Sequence, residues 1–140
     1  MASATQTNAM TDALETDILN RYLLTGVATI TNGSSDTIEL RLITTASADE
    51  NGSGTDLSIN QAGSSNNTGV AFTVTESSDT VSATNDAAIT IEADENIDVL
   101  GFYLMDGSTK LFYANFASAI SVLDGDKIEF AASSITITLN

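Results

Sequence analysis

The sequence predicts an all-β fold: an antiparallel β-sandwich of jelly-roll type with one short N-terminal helix, a small closed barrel being the competing arrangement. Three observations predict it. Short apolar runs recur along the chain and are separated by Gly, Asn and Asp turn signals. Ser and Thr make up about a quarter of the residues, a composition that suits strands and polar turns better than helices. Residues 87–139 repeat the pattern almost without interruption and end in a strictly alternating Ile135-Thr136-Ile137-Thr138-Leu139.

In chain order, residues 1–10 form a polar, uncharged arm, and residues 11–140 form one domain. Residues 11–24 read as the helix: Thr11 is placed to cap it, Asp12 lies in the first turn and Gly26 follows as a stop. Leu14, Ile18 and Tyr22, with Leu19 beside them, make its apolar stripe. Residues 27–30 and 38–43 read as a hairpin around Asn32-Gly33, with Ile38, Leu40 and Leu42 looking inward. From residue 45 to residue 69 the chain turns to Ser, Asn, Gly and Asp, with Leu57 and Ile59 as a brief strand. A polar stretch of that length is expected to be a functional loop or partly disordered. Residues 70–75 return to strand with Val70, Phe72 and Val74 on one face, and Val81 and Ala83 extend the pairing. Then come residues 87–91 and 97–104, the hairpin signal Asp106-Gly107, and residues 111–116. Asp124-Gly125-Asp126 introduces residues 128–130, and residues 135–139 close the set of about eight strands. Phe102, Phe112 and Phe130 are expected in the core, with Phe112 on a central strand.

Composition excludes several function classes. The chain has no Cys and no His, so disulfides, thiolate sites and the commonest general base are missing. Its 19 acidic residues face 4 basic ones, for a net charge of −15. Arg21, Arg41, Lys110 and Lys127 stand singly, so no basic patch offers itself to nucleic acid or to an anionic membrane. No run approaches the ~20 apolar residues of a membrane span, and the arm lacks the basic and apolar regions of a signal peptide. The surface is expected to be soluble and self-repelling, a property that also suits a salty exterior.

Three acidic constellations are candidate metal sites: Asp94, Glu95 and Asp98; Asp49, Glu50 and Asp56; and Asp124 with Asp126. Hard oxygen ligands of this kind bind Ca²⁺ or Mg²⁺, but none has the spacing of a calcium loop, and solvated turns are the simpler reading. The expectation is therefore no metal and no cofactor, with Asp94, Glu95 and Asp98 as the candidate ligands if a site exists. A glycosidase pair of carboxylates would need a cleft lined with sugar-stacking aromatics, and the chain has no Trp. No enzyme activity is expected.

Five segments carry a family likeness: Ala87-Ala88-Ile89-Thr90-Ile91, Gly101-Phe102-Tyr103, Leu111-Phe112-Tyr113-Ala114, Val122-Leu123-Asp124-Gly125-Asp126 and the closing residues 135–139. In order and spacing they resemble the C-terminal part of small bacteriophage virion proteins, often labelled tail-fibre-like. Ala13-Leu14-Glu15 and Ile18-Leu19 are similar to that family's opening helix. The likeness covers about half the chain and lapses between residues 44 and 81, where the family's Gly-Gly-Tyr-type segment is absent. It implies a virion structural protein, assembled in the cytoplasm of a bacterial host and then carried in the particle. The version favoured here is a capsid decoration, or cement, protein. It would sit on the major capsid protein as a homotrimer, with no nucleic acid or membrane partner. Ala2, Thr5 and Thr7 of the arm and Leu14, Ile18 and Tyr22 of the helix are the expected capsid or subunit contacts. The alternative is a tail-fibre or baseplate component that contacts the host surface.

Overall fold

The computed structural model describes residues 10–16, 38–45, 48–49, 51–56, 64–77 and 80–139. They form an antiparallel all-β fold with a short helix at residues 12–16. The strands are β1 (Ile38–Thr45), β2 (Thr55–Asp56), β3 (Phe72–Ser77), β4 (Thr80–Asn85), β5 (Ile89–Glu92), β6 (Ile97–Asp106), β7 (Thr109–Val122), β8 (Lys127–Phe130) and β9 (Thr136–Leu139). They group into a four-stranded sheet β2-β1-β6-β7, a three-stranded sheet β3-β4-β9 and a two-stranded sheet β5-β8. A jelly roll proper gathers eight strands into two sheets of four, which is a different grouping. The second half of the chain nevertheless shares its nested logic. β6 pairs with β7, β5 with β8 and β4 with β9, so a single long hairpin is folded back across itself.

One apolar cluster joins all three sheets. Leu40 and Leu42 of β1, Phe102 and Leu104 of β6, and Ala114 of β7 face Ile89 and Ile91 of β5 and Ile128 and Phe130 of β8. Phe72 and Ile137 bring in the three-stranded sheet. At the centre, the Phe102 and Phe130 rings meet edge to face at 5.1 Å, with Phe116 at 6.4 Å from each. The opposite face of the four-stranded sheet is also covered, by a second cluster of Ile43, Ala48, Tyr103, Met105 and Tyr113. That is why β6 is buried without a break from Gly101 to Met105.

The hairpin between β6 and β7 forms where the turn signal lies, shifted by one residue. Asp106 pairs with Thr109, so the two-residue loop is Gly107-Ser108. Gly107 has φ +57° and Ser108 a negative φ, the type II′ combination that matches strand twist. β7 is also longer than residues 111–116: it runs on to Val122 because Ile120, Ser121 and Val122 find partners in Val99, Asp98 and Ile97. Between these two registers, Leu100 alone opposes residues 116–119, a wide bulge in β7.

The described parts of the polar stretch from residue 45 to residue 69, residues 48–49, 51–56 and 64–69, are built into the fold. Thr55 and Asp56 pair with β1. Ser65 exchanges two backbone hydrogen bonds with Thr90, and two residues later the Asn67 carbonyl accepts from Leu40 N–H. Val70 N–H then donates to the Ile38 carbonyl. Residues 64–70 thus tie the two-stranded sheet to the four-stranded one through backbone groups, which hydrophobic periodicity does not register. Leu57, Ile59, the hairpin expected at residues 27–33, and helix residues 17–24 lie outside the described residues.

Phe130 is 1% exposed, whereas Phe112 is only half-buried on β7, the outermost named strand of its sheet, where Met10 is bridged to it on the far side. Phe130→Ala is expected to cost about 3–5 kcal/mol, the range for deleting a fully packed aromatic, and Phe112→Ala distinctly less. Urea unfolding of the two variants checks the order; equal losses would contradict it.

Candidate functional site

The only described helical turn begins where Thr11 caps it: Leu14 N–H donates to Thr11 Oγ1 at 3.4 Å, and Glu15 N–H to the Thr11 carbonyl at 3.0 Å. Thr11 does more than cap. Its own N–H donates to the Leu111 carbonyl, its hydroxyl donates to the Lys110 carbonyl, and Met10 pairs with Phe112. The last residue of the expected arm therefore already belongs to the sheet.

Beside this junction lies an open depression of about 400 Å³ lined by Thr11, Asp12, Asn51, Gly52, Ser108 and Lys110. Its one cation is already engaged. Lys110 Nζ donates to the Gly52 and Gly54 carbonyls at 2.8 and 2.7 Å and sits 4.4 Å from the centre of the Tyr103 ring. The Tyr103 hydroxyl in turn accepts from Gly54 N–H at 2.9 Å. A few residues away, the Asn115 amide makes a two-way bond with the backbone of Ala48, 2.9 Å in each direction. The Ser53 backbone N–H holds the Asp49 carboxyl below the ordinary carboxylate range by bonding its charged form. These contacts clip residues 48–49 and 51–54 over the outer face of the four-stranded sheet. Sequence reading passed over Lys110, Tyr103 and Asn115; the available signal was an Asn and a Lys inside an otherwise apolar strand run. Lys110→Met should leave the sheet folded but speed hydrogen exchange at the Gly54 amide, and an unchanged rate would assign the clip to Tyr103 and Asn115 alone.

Among the described residues the acidic candidates do not converge, and Glu50 lies outside them. Asp94 and Glu95 are exposed in the β5–β6 turn, and Asp98 is exposed on β6, where it accepts from Ser121 Oγ at 2.6 Å. Asp126 accepts from Leu123 N–H, and Asn96 accepts from Asp124 N–H, so the Asp-Gly-Asp turn shapes the approach to β8. Among the described residues, no three acidic side chains stand close enough together to hold a metal ion. Of the expected contact residues, Leu14 is half-buried in the helical turn; Ala2, Thr5, Thr7, Ile18 and Tyr22 lie outside the described residues. Among the described residues, no helix is long and apolar enough to cross a membrane.

The surface with the most regular chemistry is the three-stranded sheet. Its registers place Thr73, Thr84 and Thr136 in one row and Thr75, Ser82 and Thr138 in the next, with Ser77 and Thr80 beyond them. One face is therefore hydroxyl throughout, and Ser82 and Thr138 oxygens lie 3.5 Å apart. The other face carries Phe72, Val74, Val81, Ala83 and Ile137. Phe72 and Val74 share that face as the alternation predicts, and Val74 there is 65% exposed. Glu76 is the only charged residue in the three strands. Comparison with family models, with curated proteins and with solved structures finds no match to this chain.

Proposed function

We propose that this chain is a structural protein of a bacteriophage particle, a decoration protein that lies on the capsid shell and reinforces it. The observation that carries the reading is where the five resembling segments fall. They occupy β5, β6, β7, the turn before β8, and β9, which are the nested strands that build the core. The likeness is thus to a set of elements that pair with one another and not to scattered words. The polar side chains support it in a second way: Asn85, Asn115, Tyr103 and Lys110 fasten backbone segments to the sheets, the work of a scaffold. Reinforcement needs no reaction, only modest contacts repeated by symmetry.

The test uses intact particles. Mass spectrometry of purified virions should find the chain, and antibody labelling in electron micrographs should place it on the head. Heads stripped of it should rupture at lower temperature and recover when it is added back. Label confined to the tail would replace decoration by the fibre or baseplate reading, and absence from virions would remove both.

A further inference from the structure

We propose that β3 is a self-pairing edge through which two copies of this chain join, antiparallel and centred on Val74, into one six-stranded sheet. The contact is a property of the isolated chain and does not rest on the virion reading.

The direction of the backbone groups comes from the ladder itself. Just beyond the Phe72↔Asn85 pair, Asp86 N–H donates to the Ala71 carbonyl at 2.9 Å. Hydrogen-bonded and non-bonded pairs alternate in an antiparallel ladder. Thr73↔Thr84 and Thr75↔Ser82 are therefore bonded pairs, and Phe72, Val74 and Glu76 turn their N–H and C=O away from β4. Asn85 confirms the phase, since its N–H points away from β3 to the Ile135 carbonyl. Among the described strands β4 is the only neighbour of β3, so those outward groups form an open row.

Natural edge strands are usually blunted by a lysine, a proline, a bulge or a cover. β3 has none of the first three: its sequence is FTVTES, and its register with β4 runs without a shift from Phe72 to Ser77. Residues 73–77 are all exposed.

A second copy is the occupant that fits this edge. Any contact between chains of charge −15 must avoid carboxylates, and this sheet holds only Glu76. With Val74 opposite its twin, Phe72 faces Glu76 of the other copy, and the two Glu76 side chains stand about 13 Å apart along the strands. All three outward-facing residues of each copy are then used. Both faces also continue: the Thr and Ser rows lengthen on one side, and the two exposed Val74 side chains cover each other on the other, pairings that stabilise sheets. The symmetry is two-fold and isologous, in place of the three-fold closure expected from sequence.

The experiment is sedimentation of the intact chain across a concentration series, at low and high salt. The expected result is a dimer that strengthens with salt as repulsion is screened. Val74→Lys should weaken it at least about tenfold, or ~1.4 kcal/mol. Val74→Pro, which removes an N–H facing the open edge and not one facing β4, should do the same while thermal melting shows a folded domain. Leu123→Lys is the control: Leu123 is 61% exposed in the turn after β7, and the substitution changes charge identically. A chain that stays monomeric, a three-copy species, or equal responses to Val74→Lys and Leu123→Lys would overturn the proposal.

Discussion

Gly101→Ala is expected to destabilise the domain by about 3 kcal/mol or more, and to do so by prising β6 from β7. A Cβ at this position would fall on the Ala114 carbonyl oxygen and 2.9 Å from Asn115 Cα, both backbone atoms of the neighbouring strand. A flexible side chain could swing aside; a paired strand cannot. The close approach has a cause in the sequence of pairings. Gly101↔Asn115 is the last pair before β7 bulges out at residues 116–119, so the close approach lies at the margin of the bulge. The strain would spread to both faces of the sheet. Phe102, next in line, belongs to the inner aromatic cluster, while Asn115 holds Ala48 on the outer face. Against a typical total stability of ~5–15 kcal/mol, such a loss is large enough to read from a single urea titration. A change below about 1 kcal/mol would mean that the bulge absorbs the methyl group and that the approach is looser than it looks.

What the sequence made legible follows from what its signals encode. Apolar alternation located β1, β3 and the strands from β5 to β9, because those segments bury one face or both. The signal failed where pairing, not burial, makes the strand. Residues 117–119 read as Ala-Ser-Ala and break the apolar pattern with nothing to bury, yet β7 resumes beyond them, where Ile120, Ser121 and Val122 pair with β6 and Val122 reaches the core. Residues 48–49, 51–56 and 64–70 look like linker by composition but are fixed by Lys110, Asn115, Thr90 and the edge of β1. Long-range hydrogen bonds of this kind leave no periodicity. Nearness in sequence is likewise no measure of convergence: Asp94, Glu95 and Asp98 are all exposed, the first two in a turn and the third on β6. Val74 shows the same limit for burial, since alternation names a face without saying whether anything lies against it.

Asn85 is the polar residue on which the join between β4 and the last turn depends, and Asn85→Leu is expected to cost on the order of 3 kcal/mol. Its side chain is fully buried and fully used. Nδ2 donates to the Ala87 and Ala131 carbonyls at 2.9 and 3.0 Å, and Oδ1 accepts from Ile135 N–H at 2.8 Å. Its backbone carbonyl accepts from Ser133 N–H as well, so one residue gathers the β4–β5 connection and the β8–β9 turn. Leucine keeps the branch at Cγ, with bulkier methyl groups, and satisfies none of these groups. Ala87 is exposed and Ala131 half-buried, so water can reach their carbonyls; the Ile135 N–H is buried and would be left without an acceptor. Asn85→Asp separates the two halves of the role. It keeps an acceptor for Ile135 but sets a carboxylate against two carbonyl oxygens, which favours its protonated form. The folded pKa would then lie above the unfolded one, so the folded state binds more protons between them and stability falls as pH rises through that interval. Thermal melts of Asn85→Asp should therefore weaken from acid toward neutral pH relative to the parent chain. A variant whose deficit is the same at every pH would show that the loss comes from packing alone, and that the two carbonyls do not set the need for an amide.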